Sequence, residues 1–296
     1  MDLDQFTAQV GASGPVAVAG GRTAWEVGGS LAPGTRLVTA PTGVVEHQPA
    51  EMTVRVGAGT TVAELDDVLA ESGQCVVLPT VPGATVGGVL AVGRSGTRRL
   101  GWGPVRDAVL EIRYVGAEGA LVTAGGPMIK NVSGFDLCRL LVGSSGTLGF
   151  LGDVILRTRP RPVHERWFRT ERDPWDVLGD LYRPTSVLWD GAITWVLLDG
   201  HPADVEERAT LAGLVPVVGP PTLPDAARWS VPASALADLR DQAPGSFVAE
   251  IGVGIVHHTC PAPPTAPDAA VVELHRRIKH EFDPTGRLNP GVSVLP

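Results

Sequence analysis

The apolar positions of the first 160 residues alternate between two spacings. VAVAGG (16–21) is a short apolar run that closes on paired glycines, and TVRVGAG (53–59) alternates and then turns; both predict strands. In TTVAELDDVLAESGQ the period changes: Val62, Leu65 and Leu69 share one helical face. Thr61 is placed to cap that helix, Glu64 to complete a capping box, and Gly73 to stop it. CVVLP (75–79) predicts a buried strand. DAVLEIRYVGAEGALVTAGG (107–126) predicts two strands joined by a turn at Glu118-Gly119. FDLCRLLVG (135–143) predicts a short helix that buries Leu137, Leu140 and Leu141, and LGDVILRTRP (151–160) a further strand.

The pattern shifts at RPRPVHERW. Beyond it come a helix over 174–182, with Asp173 as cap and Pro174 in its first turn, strands over 186–190 and 193–199, and a helix over 203–214. A helix near 234–242 and a strand FVAEIGVG (247–254) follow. PAPPTAP (261–267) is a linker, AAVVELHRRIKHEF a helix, and FDPTGRLNPG the tail. The order predicts an α+β protein in three segments: a larger domain over 1–160, a small α+β domain over 161–260, and a linker, helix and tail over 261–296.

At 296 residues and 44% hydrophobic, the chain can bury a sizeable core. Its net charge of -8 argues against general affinity for nucleic acid or anionic membrane. Cys75, Cys138 and Cys260 are far apart and odd in number, which suits free thiols in a reducing compartment and neither a disulfide framework nor a metal site. MDLDQFTAQV has no basic segment before an apolar run, and no stretch approaches the ~20 apolar residues of a membrane span. The expected location is cytoplasmic, with any membrane contact made through a partner.

Reactive side-chain motifs are scarce. GxxxxGK[ST] and HExxH are absent. Gly57 and Gly59 open like a dinucleotide fingerprint, but the third glycine position is Val62, and a tight strand-to-helix turn accounts for both. His257 and His258 are adjacent, so a strand would send them to opposite faces: one buried and hydrogen-bonded, the other solvated or facing a ligand. Three small-residue loops remain, AGGRT (19–23), PGATVGGVLAVGRSG (82–96) and GSSGTLG (143–149). Converging backbone N–H groups can hold a phosphate wherever the backbone can come close, and glycine permits that approach. Gly87-Gly88 would open a short helix, capped by Thr85, with its N-terminus aimed at an anion. Three such loops point to a large anionic cofactor.

PGATVGG, the run to Gly96, Trp102-Gly103 and Asp107-Ala-Val resemble the FAD-binding domain of the vanillyl-alcohol oxidase/p-cresol methylhydroxylase (PCMH-type) superfamily. KNVSGFDLCRLLVGSSGTLGFLGDVILRTRPRP (130–162) and FDPTGRLNPG resemble its 2-hydroxyacid dehydrogenase branch. With GRSGTRRLGWGPVRDAVL, the blocks are most similar to the FAD-binding E subunits of bacterial glycolate oxidases (glycolate dehydrogenases). The resemblance covers residues 16 to about 162 and 279 to 291, and the middle only loosely. It implies two α+β subdomains around FAD and a smaller α+β cap. By this resemblance Gly20, Gly21, Arg22 and Thr23 match the pyrophosphate loop. Pro82, Gly83, Ala84, Thr85, Gly87 and Gly88 match the loop that approaches pyrophosphate and flavin, with Ser95 and Gly96 at its end. Gly146, Gly149, Phe150 and Leu151 match the segment lining the adenosine end, and Asn289 the tail asparagine near the isoalloxazine.

The resemblance implies hydride transfer from the α-carbon of a hydroxy acid to the flavin. Arg94, Arg98 and Arg99 could face a carboxylate, although solvation explains them more simply. Arg22 stands where members with covalent flavin often carry a histidine, so FAD is expected to bind noncovalently. The histidine-rich metal site of catalytic branch members has no counterpart in the pattern, and GVGIVHH alone is similar; no metal is expected, and His257, His258 and Asn289 are the only catalytic candidates. The expected function is an FAD-binding subunit of a glycolate dehydrogenase-type complex that oxidises a 2-hydroxy acid to a 2-oxo acid, beside a larger flavin subunit and an iron–sulfur subunit. The alternatives are an autonomous FAD-dependent oxidoreductase on another hydroxy acid or alcohol, and a scaffold that has lost its flavin.

Overall fold

The computed structural model describes residues 1–126, 136–239, 245–263 and 267–294. The chain divides into two compact units, one of Met1–Ser95, Pro104–Arg161 and Thr265–Pro296, the other of Gly96–Gly103 and Pro162–Pro264.

The first unit opens with helix α1 (Leu3–Val10), which the apolar pattern did not announce; Asp2 and Gln5 form its capping box, and Phe6 and Val10 are its buried face. Strands β1 (Val16–Val18) and β2 (Arg36–Val38) pair in parallel. Five strands build the main sheet: β3 (Val44–Gln48), β4 (Thr53–Gly57), β6 (Val109–Val115), β7 (Leu121–Gly125) and β8 (Phe150–Arg157). Their order is β3-β4-β8-β6-β7, every pair antiparallel. The β8 strand is central, and all of Phe150–Leu156 is buried, so it carries the core of the unit. The exception in polarity is Asp153, 2% exposed. Arg55 reaches it from β4 at 3.2 Å and Arg113 from β6, and Arg55 also pairs with Glu111 at 2.7 Å. A buried carboxylate is tolerable only with such partners.

Helix α2 (Val62–Ala70) has the predicted Thr61–Glu64 capping box and buries Val62, Leu65 and Leu69. CVVLP does not continue as a strand. Only β5 (Gln74–Cys75) forms a ladder, with β9 (Arg159–Pro160), because Pro160 has no N–H to donate and Pro162 follows. Val76 and Leu78 enter the core without strand pairing. Helix α3 (Val86–Val92) starts at the Thr85 cap, and α5 (Leu137–Leu141) at Asp136; the part of its predicted segment at Phe135 lies outside the described residues. Leu141 is buried, and Leu137 and Leu140 pack against the same core.

The chain ends of this unit are stitched together by the tail. Helix α8 (Ala269–Phe282) runs to Asp283, whose carboxylate accepts from Lys279 Nζ at 2.6 Å, Arg287 N at 3.0 Å and Leu288 N at 2.8 Å. The Arg287 guanidinium donates to the carbonyls of Val10, Ser13, Gly14 and Ala117. Leu288 then bridges Val16 in parallel and extends the β1-β2 pair.

The second unit is a seven-stranded antiparallel sheet in the order β13-β10-β12-β11-β15-β16-β14. These strands are β10 (His164–Thr170), β11 (Ser186–Trp189), β12 (Thr194–Gly200), β13 (Val215–Val217), β14 (Ala227–Ser230), β15 (Phe247–Glu250) and β16 (Ile255–His258). Helices α6 (Pro174–Asp180) and α7 (Pro202–Leu211) bury Val177, Val205 and Ala209 in its core. The short helix α4 (Arg99–Trp102) belongs here too, with Trp102 Nε1 donating to Asp199 at 2.9 Å. FVAEIGVG is a strand over its first half only: Gly252 and Gly254 have φ of 78° and 85°, and the chain reverses in the second half so that Glu250 pairs with Ile255 of the next strand. The helix near 234–242 is a 3-10 turn over Ala233–Asp238, and residues 240–244 lie outside the described ones.

Asp283 sets a pH dependence. Burial alone would raise its pKa, but the Lys279 ammonium and the N–H groups of Leu288 and Arg287 outweigh it and hold the carboxyl below the usual range. A depressed folded pKa contributes stability above the unfolded value, near pH 4, that is lost as pH falls through the folded value. Asp283→Asn is expected to cost about 1.5–3 kcal/mol near neutral pH, discounted because Lys279 is partly exposed. Urea titrations at pH 7 and at about pH 3 check this: the gap between wild type and variant narrows at the lower pH.

Candidate cofactor site

The three small-residue loops and the tail come together in the first unit. Two adjoining cavities share Val18, Gly20, Thr85, Gly88, Ala91 and Asn289. One continues past Gly21, Arg22 and Thr23 toward Trp25, Leu31 and Val292. The other continues past Gly87 and Gly146 to Gly149, Phe150 and Leu151.

Absent side chains let the segments meet. A Cβ on Gly21 would lie 1.7 Å from the carbonyl oxygen of Gly83, and one on Gly146 would lie 2.6 Å from Asn289 Nδ2. No ordinary contact is that short, so these backbones can pass only as glycine. Gly88 and Ala91, three apart on α3, turn a nearly bare helix face to both cavities.

The N-terminus of α3 does not present free donors, contrary to the expectation from Thr85-Val-Gly-Gly. Val86 N donates to Thr60 O, Gly87 N to Ala58 O at 2.7 Å, and Gly88 N to the Thr85 hydroxyl at 3.2 Å. A neighbouring strand-to-helix turn runs close enough to take the first two donors. The unpaired donors are in the first loop. Ala19 N is bonded to Val38 O, but the N–H groups of Gly20, Gly21, Arg22 and Thr23 have no partner among the described residues, and all four residues line the first cavity. A run of free backbone N–H groups at a concave surface is a site for an anionic group.

Asn289 sits where the cavities join. Its N–H donates to Val16 O at 2.9 Å and its Nδ2 to Ser145 O at 2.6 Å. That second bond fixes the amide orientation. Oδ1 is then buried with no partner, an acceptor at a site lined by two cavities. Asn289 has φ 45° and Ser145 φ 51°, so both contacting residues adopt left-handed backbone.

Other predicted residues lie elsewhere. Pro82, Gly83, Ala84, Ser95 and Gly96 do not line these two cavities. Gly83 supports Gly21, Ala84 is buried with its carbonyl accepting from Val62 N, and Ser95 Oγ accepts from Val105 N at 3.2 Å. Gly96 falls in the second unit, as do both histidines. His258 is fully buried, stacked on Trp229 at 4.1 Å, and its Nδ1 accepts from Cys260 N at 2.8 Å. Burial lowers its pKa. His257 is half-buried on the opposite face, its Nε2 2.9 Å from Glu250 Oε1. Arg98 pairs with Glu165 and lies over Trp102, while Arg94 is exposed. Ala40, Ala58 and Trp25 also line the cavities and were not singled out from the sequence; Ser144 and Ser145 lie in the GSSGTLG loop but were not named individually, and Gly59 was set aside. Gly59 carried a signal, its place in VGAGTT, that a simple turn also explained.

Bare walls, a run of free N–H groups and a buried lone acceptor suit a dinucleotide with a diphosphate. Residues 8–125 match the family described as FAD binding domain. Over nearly its whole length the chain is similar to glycolate oxidase subunit GlcE of Escherichia coli K12: 28% identical, covering 98% of this chain and 95% of the relative. A D-lactate dehydrogenase of Archaeoglobus fulgidus is 42% identical over 108 residues, 36% of this chain and 24% of the relative. Glycolate oxidase subunit GlcD of Bacillus subtilis is 34% identical over 40% of this chain and 26% of its own. Among solved structures, an alkyldihydroxyacetonephosphate synthase shares the fold with a TM-score of 0.70 at 14% identity, covering 98% of this chain and 74% of that one.

Gly21→Ala tests the cradle. Its Cβ has only backbone to displace, so flavin loading is expected to fall at least about tenfold, with a lower unfolding midpoint. Flavin absorbance per mole of purified protein and a thermal scan read both.

Proposed function

We propose that this chain is the FAD-binding subunit of a glycolate dehydrogenase-type complex, which oxidises a 2-hydroxy acid to the 2-oxo acid. The observation that carries the reading is the coincidence of a near-full-length likeness to a glycolate oxidase subunit with a cavity whose walls suit FAD. When bound, FAD supplies the two-electron acceptance that takes a hydride equivalent from the hydroxylated carbon. The chain's own residues bind and orient. The N–H groups of Gly20 to Thr23 hold the diphosphate. Gly88 and Ala91 leave room along α3, Gly149, Phe150 and Leu151 form the apolar end, and Asn289 Oδ1 accepts from a cofactor donor.

FAD is held noncovalently in this reading. Among the described residues lining the two cavities there is no histidine or cysteine to form a flavin bond, and Arg22 occupies the first loop. Heat or acid precipitation is expected to leave the flavin in the supernatant; flavin remaining in the pellet refutes noncovalent binding.

The partners are a larger flavin subunit and an iron–sulfur subunit. The chain's three cysteines fall short of the four thiolates of an ordinary cluster. No helix of the described residues is long and apolar enough to cross a membrane, and contact with the inner membrane would run through those partners from the cytoplasm. Purified alone, the chain is expected to absorb between about 350 and 450 nm from bound flavin. Glycolate-dependent dye reduction should appear only when the companion subunits are added. Full turnover by the lone chain would favour an autonomous oxidoreductase, and a colourless chain that takes up no FAD would favour a scaffold.

A further inference from the structure

We propose that the side chains of Arg22 and Trp25 form a clamp on the diphosphate of the bound dinucleotide, with the indole holding the guanidinium in place. The proposal rests on the FAD reading above and deepens it.

Arg22 is the one charged residue among the described residues that line either cavity. Everything else there is small, apolar or neutral and polar. A diphosphate is a dianion, and the chain that receives it carries a net charge of -8. Backbone N–H groups supply dipoles for it, but a full positive charge shortens and strengthens the hydrogen bonds made to phosphate oxygens. The guanidinium of Arg22 is free for this: it has no carboxylate partner among the described residues. It lies over the ring of Trp25, 5.1 Å from the centroid. The ring face attracts the cation and limits its wandering, so less freedom is lost when an anion arrives. Trp25 lines the same cavity and is half-buried, with no other aromatic ring in that wall.

The backbone gives a second, independent indication. Arg22 has φ 55°, the left-handed region in which glycine is comfortable and a larger residue is strained. Two glycines precede it, so a third would relieve the strain. Arginine stands there instead, lining the cavity within a run of four unpaired N–H donors that includes its own.

The left-handed φ also supplies a clean variant. Arg22→Gly removes the guanidinium and leaves the loop a backbone that it adopts without strain, so the apo unfolding midpoint should hold. FAD affinity is read by flavin fluorescence in the purified chain, at about 20 mM and about 500 mM salt, where screening differs severalfold. For the wild type, Kd should rise with salt. For Arg22→Gly, Kd at low salt should rise about tenfold and its salt response should flatten. Arg22→Lys should keep part of the salt response with weaker binding, because it keeps the charge and loses the planar fork. Trp25→Ala should weaken FAD severalfold and Trp25→Phe should recover most of it. The double variant Arg22→Gly/Trp25→Ala should be no worse than Arg22→Gly, since the indole acts through the arginine. Riboflavin, which has no phosphate, should bind wild type and Arg22→Gly alike. If the wild type binds FAD while Arg22→Gly matches its Kd and salt response, the clamp is refuted. If the wild type takes up no FAD at all, it is the FAD reading that fails.

Discussion

The carboxylate of Asp283 holds the site together from outside it. It collects three donors, the Lys279 ammonium and the N–H groups of Arg287 and Leu288, and so fixes the end of the last helix against the start of the tail. Lys279 also donates to Thr147 O at 2.7 Å and to Leu288 O at 3.3 Å. One ion pair thereby ties the helix, the tail and the 143–149 loop. Arg287 adds a buried guanidinium that donates to three carbonyls near the chain's beginning and to that of Ala117 in the turn between β6 and β7, and its burial lowers its own pKa. Asn289 follows one residue after Leu288, so its place between Val16 and Ser145 is a consequence of this anchoring.

What the anchoring positions is mostly backbone. Much of the cavity wall is glycine, alanine and other small residues, and the polar groups on offer are N–H groups, a few hydroxyls, one amide oxygen and one guanidinium. This suits a protein whose redox work is done by a bound cofactor, because the protein then needs shape and donors more than reactive groups. It also explains why the donors sit where they do. The segments around α3 pack so closely that the helix's own first N–H groups are consumed by Ala58 and Thr60, while the loop after β1, bonded at Ala19 and then released, keeps four. Close packing and free donors are competing uses of the same glycine-rich chain, and the two loops divide them.

The second unit uses its polar residues differently. His258 is closed between an indole and a backbone N–H, and His257 is engaged with Glu250, itself only 2% exposed. Both lie on one sheet edge, where β14, β15 and β16 meet, and His258 Nε2 is buried there with no partner among the described residues. Among the described residues no group of three or more His, Cys, Asp or Glu could hold a metal ion.

Much of this was legible in the chain. The helices at 62–70 and 86–92 announced themselves through period and cap, because Thr61–Glu64 and Thr85 are local devices that need nothing distant. The Asp2–Gln5 box was equally local and went unread, since the short α1 shows little apolar period. CVVLP and FVAEIGVG misled because strand length depends on a partner: Pro160 in β9 and Pro162 after it cut the first, and left-handed glycines turned the second back toward the next strand. The glycines at 20, 21, 87, 88, 146 and 149, with Asn289, could be named from sequence as one site. Their division of labour could not. Which N–H groups stay free depends on which carbonyls another segment brings within reach, and the role of Trp25 depends on where Arg22 points. Local pattern determined most of the elements and the small-residue loops, which pointed to a large anionic cofactor; the tertiary structure alone decided which donors were left free, because beyond local caps hydrogen-bond satisfaction is settled between segments.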